Sequence, residues 1–227
     1  MSGPPVLLVH GFASSFDRNW REPGWVDLLG DAGRTVLPVD LRGHGGAARP
    51  LDPAAYARLE DDVAGALPEA GAVDGVGFSL GARLLLGVAA GRPERFHRIV
   101  VGGVGENLFR RADPEPIARA LEGDLDETNA LARLFVQFAA GSGNDPRALA
   151  ACLRRSDEPL TPERLAAITC PVLVVLGDQD FAGPAQPLVD ALPDARLVTL
   201  RGVDHFATPR HFGFIEAALD FLDAQPA

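Results

Sequence analysis

At 227 residues and 47% hydrophobic composition, the chain is long enough to bury one substantial core and short for two. Its net charge of −10 argues against nucleic-acid partners, whose phosphates an anionic surface repels. All 21 basic residues are arginine, in keeping with an Ala-, Gly- and Pro-rich composition; lysine-based Schiff-base chemistry and GxxxxGK phosphate loops are thereby excluded.

Short runs rich in Val, Leu and Ile recur along the chain at Pro5–Val9, Thr35–Val39, Val73–Phe78, Arg98–Gly102, Val172–Leu176 and Arg196–Leu200. They read as strands buried on both faces, which is the signature of a parallel sheet. Helical patterns separate them at Trp25–Ala32, Pro53–Leu67, Leu80–Ala90, Pro184–Leu192 and Pro209–Leu222. Several of these open near a proline, whose missing N–H costs nothing in a first helical turn. Strands alternating with helices predict right-handed crossovers and an α/β fold with a doubly wound sheet of about six strands.

The alternation is interrupted between 105 and 168, where four helical segments are predicted: Pro114–Leu121, Leu125–Ala139, Pro146–Arg154 and Pro162–Ala167. Leu131, Leu134, Phe135 and Phe138 share one apolar face of the second. An insertion of this length within a single 1–227 domain is a candidate helical cap over a site, although each apolar residue taken singly reads as core. No apolar run is long enough to span a bilayer, and the segment VLLVHG is too short for a signal-peptide core. Cys152 and Cys170 are too few for a disulfide framework, so reduced thiols and a cytoplasmic location are expected.

The chemistry-bearing residues cluster at predicted strand ends. Gly77-Phe78-Ser79-Leu80-Gly81 follows one strand and opens one helix, the arrangement of a nucleophile elbow. The flanking glycines let backbone approach without a Cβ clash, and the turn lifts the Ser79 hydroxyl above the sheet. Leu7-Leu8-Val9-His10-Gly11-Phe12 ends the first strand at the same edge, so the N–H groups of Phe12 and Leu80 are candidates for stabilising an oxyanion. His10 reads as a loop brace and not as a base. Val174-Val175-Leu176-Gly177-Asp178-Gln179-Asp180 ends the fifth strand, and Val203-Asp204-His205-Phe206 follows the sixth. The order Ser79…Asp180…His205 suits a nucleophile, an orienting acid and a general base.

The segments LLVHGF, VDLRGHGGA, GFSLGA, VLVVLGDQD and GVDHF resemble the α/β-hydrolase superfamily, in the right order and over nearly the whole chain. The resemblance implies a Ser79–Asp180–His205 triad, an oxyanion hole at Phe12 and Leu80, no cofactor, and a helical cap. It favours Asp180, the last Asp of GDQD, over Asp178. It assigns His44 of the Arg42-Gly43-His44-Gly45 turn to loop bracing. The family's two leading strands are expected to be missing.

Ser79 excludes the dehalogenase branch of the family, whose nucleophile is aspartate, but the acyl group is left open. A carboxylesterase-like reaction on a small-molecule acyl substrate is the first expectation. Arg83, four residues past Ser79, resembles the menaquinone-pathway enzymes that eliminate pyruvate from a succinyl cyclohexadiene, a C–C lyase alternative. The other role for Arg83 is a surface salt bridge. A hydrolase-like protein that only binds a small molecule is the third reading. Phe12, Phe16, Trp20, Phe78, Phe181 and Phe206 flank the motif loops, and Phe16, Phe78, Phe181 and Phe206 with Arg83 are the candidate substrate contacts. A dinucleotide site is disfavoured because Gly75-Val76-Gly77 is followed by leucine at 80, and a metal site because the five histidines lack paired ligand spacing. Oligomeric state has no signature in the sequence.

Overall fold

A computed structural model describes residues 3–226. Six strands form one sheet: β1 (Val6–Val9), β2 (Val36–Val39), β3 (Val73–Phe78), β4 (Phe96–Gly102), β5 (Val172–Gly177) and β6 (Ala195–Leu200). The order is β2-β1-β3-β4-β5-β6 and every neighbouring pair is parallel. Each strand alternates its side chains between two helical layers, as the pleat demands. Leu7 and Val9 of β1 face one core with α2 (Glu60–Gly65), α3 (Leu80–Gly91) and α8 (Gln186–Ala191). Val6 and Leu8 face the other, against α1 (Trp25–Asp31) and α9 (Phe212–Phe221).

Only the four inner strands fit the expectation of burial on both faces. β2 and β6 lie at the sheet's edges and are partly exposed, Leu197 to 38%. Pro38 sits within edge strand β2, where a residue lacking an N–H is tolerated.

Between β4 and β5 the chain forms four helices: α4 (Glu115–Leu121), α5 (Ala130–Ala140), α6 (Pro146–Leu153) and α7 (Pro162–Leu165). Their starts follow local capping. Asn129, Asp145 and Thr161 accept the N–H groups of Ala132, Arg147 and Arg164. Asp126 binds the backbone of Thr128, closing a turn that delays α5 by five residues from its predicted start. The predicted Pro53–Leu67 helix is split into a 3₁₀ turn, Pro53–Tyr56, and α2, and the Arg42 guanidinium donates to the Ala55 carbonyl next to the break. Three short turns lie outside the predicted segments: a π-helical turn at Asp17–Arg21 and 3₁₀ turns at Pro93–Arg95 and Glu106–Phe109. Among the described residues no helix is long and apolar enough to cross a membrane.

Candidate active site

Ser79 stands between β3 and α3 with φ 51° and ψ −113°, a left-handed conformation that is strained for a side-chain-bearing residue. Its N–H donates to the Gly102 carbonyl at 2.8 Å, pinning the turn to β4. Both elbow glycines are sterically required. A Cβ on Gly81 would lie 2.3 Å from the Val9 carbonyl oxygen, and one on Gly77 would lie 2.7 Å from the Ala82 Cα.

The parallel sheet carries the two other chemical groups to the same edge. The Ser79 hydroxyl donates to His205 Nε2 at 2.9 Å. His205 Nδ1 is 2.8 and 2.9 Å from the two oxygens of Asp180, and Asp180 Oδ1 also accepts the Ala182 N–H at 2.8 Å. A proton on Nδ1 facing the carboxylate leaves Nε2 as the acceptor for the serine. The Asp180 side chain is wholly buried and His205 is 3% exposed. Asp178, the second candidate acid, is exposed and accepts the Gly202 N–H instead, stapling the ends of β5 and β6 together.

A cavity of about 170 Å³ opens beside the hydroxyl, lined by Phe12, Ser79, Leu80, Val104, Leu108 and Phe135, with Arg83 and Arg155 at one end. The N–H groups of Phe12 and Leu80 donate to no protein acceptor among the described residues, and both residues line this cavity. A larger groove of about 410 Å³ continues from it, sharing Arg83, Asn107, Leu153 and Arg155.

The predicted aromatic contacts divide by position. Phe181 and Phe206 flank the His205 ring, at centroid distances of 4.2 and 5.6 Å, and Phe78 supports it from the core side at 5.0 Å. None of these three lines the Ser79 cavity. Phe16 lies elsewhere: it is buried with Trp20 and Trp25 in the other core, with the Arg21 guanidinium over its ring. Phe135, which the sequence places only on an apolar helix face, does line the cavity. The face is rotated from the expected one: Ala132, Phe135, Val136 and Ala139 turn inward, while Leu131 and Leu134 are exposed. Phe135 thus meets Phe12, Phe181 and Phe206 edge-on over the site. Its apolar helical spacing was the available signal, but spacing alone does not orient a helix.

Arg83 forms a salt bridge, as the second role expected for it requires, with a partly exposed carboxylate at the mouth of the groove. Its guanidinium, 16% exposed, grips Asp157 through two hydrogen bonds of 3.0 and 2.8 Å and reaches the Glu158 carbonyl. Arg155 binds the same carboxylate at 2.7 Å. Burial pushes the Asp157 carboxyl up, but the hydrogen bond from Arg83 and the charge of Arg155 outweigh it and hold the group below its ordinary value.

The remaining histidines brace loops. His10 Nδ1 donates to the Gly11 carbonyl at 2.8 Å, while its Nε2 accepts the Leu41 N–H at 3.0 Å. His44 Nδ1 donates to the Arg42 carbonyl, and burial lowers its pKa to about 3. Cys152 and Cys170 are free and buried, and burial raises both thiols to about 11, which removes them as nucleophiles. Among the described residues no three His, Cys, Asp or Glu side chains gather closely enough to hold a metal ion.

Residues 6–220 match the sequence profile of the alpha/beta hydrolase family. The chain is 29% identical to the pimeloyl-[acyl-carrier protein] methyl ester esterase of Nitrosomonas europaea, over 90% of this chain and 89% of that protein. Its fold is similar to the enol-lactonase from Burkholderia xenovorans LB400, with a TM-score of 0.74 for the bromoperoxidase from Bacillus anthracis and 0.76 for the lactonase. Identities are 22% to the lactonase and 24% to the bromoperoxidase, each alignment covering 97% of this chain and 92% of the other.

Proposed function

We propose, on the premise that this chain belongs to the alpha/beta hydrolase family, that it is a serine hydrolase of carboxylic esters or related acyl bonds. The observation that carries the proposal is the unbroken hydrogen-bond chain from Ser79 Oγ through His205 to the buried Asp180, at the mouth of a cavity. In this reading His205 Nε2 takes the serine proton as Oγ attacks the acyl carbon, and Asp180 holds the ring's tautomer and stabilises its cationic form. The oxyanion receives the Phe12 and Leu80 N–H groups. Collapse of the tetrahedral adduct expels the alcohol, which takes the proton from His205, and water then repeats the sequence on the acyl-enzyme. Helices α5 and α6 overhang the site through Phe135 and Leu153, and Phe12, Leu108 and Phe135 favour a substrate with an apolar portion next to its carbonyl. The esterase name of the Nitrosomonas relative supports the same class of reaction.

The lyase reading calls for a cationic Arg83 available to a carboxylate substrate; Arg83 is engaged by Asp157, although that single carboxylate also serves Arg155 and so leaves one of the two charges unmatched.

The test is intact-mass measurement after fluorophosphonate treatment, followed by turnover of a panel of acyl esters. Wild type is expected to gain one adduct and Ser79→Ala none, with the variant's kcat lower by at least about 10⁴-fold. Folded wild type that gains no adduct and cleaves no ester sinks the proposal. A panel in which only charged or polar acids are cleaved removes the apolar-substrate part.

A further inference from the structure

A second cavity, of about 120 Å³, shares no lining residue with the Ser79 cavity. Three segments wall it: Ser14, Arg18 and Asn19 from the first loop and the π-helical turn, Phe138 from α5, and Phe206, Pro209 and Arg210 from the loop after His205. Its polar inventory is one-sided, with two guanidinium groups, a hydroxyl and an amide and no carboxylate.

Two of those groups lack partners. The Ser14 hydroxyl, in a residue 1% exposed, and the buried Arg18 Nη1 make no hydrogen bond among the described residues. Arg18 also has no carboxylate within ion-pair distance there, and its guanidinium lies 5.1 Å over the Phe138 ring. Asn19 spends its carbonyl oxygen on the Gly11 N–H at 2.8 Å, so its NH₂ is what it can offer a ligand. Arg210 is held in place by Glu22 at 2.6 Å. Buried polar atoms without partners are rare, and each is unfavourable when left unsatisfied.

We propose that this cavity binds a small oxyanion: phosphate, sulfate or a short carboxylate. Hydroxyl, amide and guanidinium donors around an unpaired positive charge are complementary to such oxygens, and arginine suits their planar or tetrahedral geometry. At about 120 Å³ the cavity is smaller than the one beside Ser79 and has room for a compact anion. The bound anion ties together the first loop, α5 and the segment that follows His205, so occupancy stabilises the fold independently of any reaction at Ser79.

The test is titration calorimetry and thermal unfolding of the whole protein in phosphate, sulfate or acetate, at constant ionic strength kept with sodium chloride. Wild type is expected to show saturable one-site binding with a matching rise in Tm. Response to phosphate or sulfate identifies an inorganic oxyanion, and response to acetate alone identifies the carboxylate of a small organic acid. Arg18→Gln is expected to weaken binding about tenfold or more, the loss of one charged hydrogen bond. Should Arg18→Gln fail to fold, Arg210→Gln, at an exposed residue, is expected to weaken it by a smaller factor. Absence of a saturable response in wild type, which leaves the cavity to water, overturns the proposal. So does wild-type affinity in both variants.

Discussion

At the scale of single residues, burial and partners decide what each ionisable group can do. Asp178 and Asp180 are two positions apart, yet one lies in solvent holding a turn and the other is sealed beneath His205. His10 and His44 are neutral for a related reason: burial lowers both pKa values, the Asp40 carboxylate 3.7 Å from His10 offsets this only in part, and the charges facing His44, from His10 and Arg155, lower it further. This has a pH consequence with a definite sign. Their folded pKa values lie below the ordinary value of about 6.5, so the unfolded chain binds more protons in the window just beneath it. Stability therefore falls as pH drops from 7 towards 5, by up to about 1.4 kcal/mol per pH unit for each ring that stays neutral. His44→Asn, which keeps a donor for the Arg42 carbonyl, is expected to flatten that slope in urea denaturation across this range. An unchanged slope would assign the effect to other groups. The same residue-scale logic makes Asp180→Asn a sharper probe of the proposed reaction than a deletion. The site's shape is preserved, but the tautomer on His205 is wrong, and kcat is expected to fall by about 10⁴-fold.

At the scale of elements, the elbow and helix α3 form the frame on which the site depends. Almost every residue from Leu80 to Ala89 is buried, and Gly81 is pressed against the end of β1. Gly81→Ala is expected to cost about 3 kcal/mol or more, because its Cβ meets carbonyl oxygens of Val9 and His10 and not a flexible side-chain end. A denaturant midpoint close to wild type would show that β1 can shift freely. The elbow was legible from sequence, since a strand-to-helix turn with small neighbours is a local pattern. The orientation of α5 was not, because a helix with apolar residues at 131, 132, 134, 135, 136, 138 and 139 offers several possible faces. Packing against Phe12 and Phe206 selects the one centred on Phe135. The partnership of Arg83 with Asp157 was equally invisible, as it joins α3 to a loop 74 residues away.

At the scale of the whole molecule, one buried ion pair ties the sheet to both ends of the described chain. Arg34, before β2, pairs with Asp74 of β3, and their side chains are 3% and 1% exposed. The same guanidinium donates to the carbonyls of Pro4 and Leu222. Arg34→Met leaves Asp74 buried with only the half-exposed His97 beside it. The expected cost is about 3–5 kcal/mol, or a fall of roughly 10 °C in Tm for a chain of this length. Arg34→Met combined with Asp74→Leu should recover much of the loss, since a buried apolar pair needs no desolvation of charge. If the double variant is no more stable than the single one, the pair contributes through its backbone contacts and not through charge balance.

The sequence by itself determined the parallel α/β architecture, the strand-end location of Ser79, Asp180 and His205, and the existence of a helical insertion between β4 and β5. These follow from short-range patterns: hydrophobic period, proline and glycine positions, and turn motifs. Only the tertiary structure decided that Phe16 belongs to the core, that Phe135 overhangs the Ser79 cavity, that Arg83 and Arg155 share the Asp157 carboxylate, and that Arg18 and Ser14 face a common polar cavity. Each of these depends on which residues distant along the chain come to share a surface. That choice is made by the packing of whole elements, and no local periodicity encodes it.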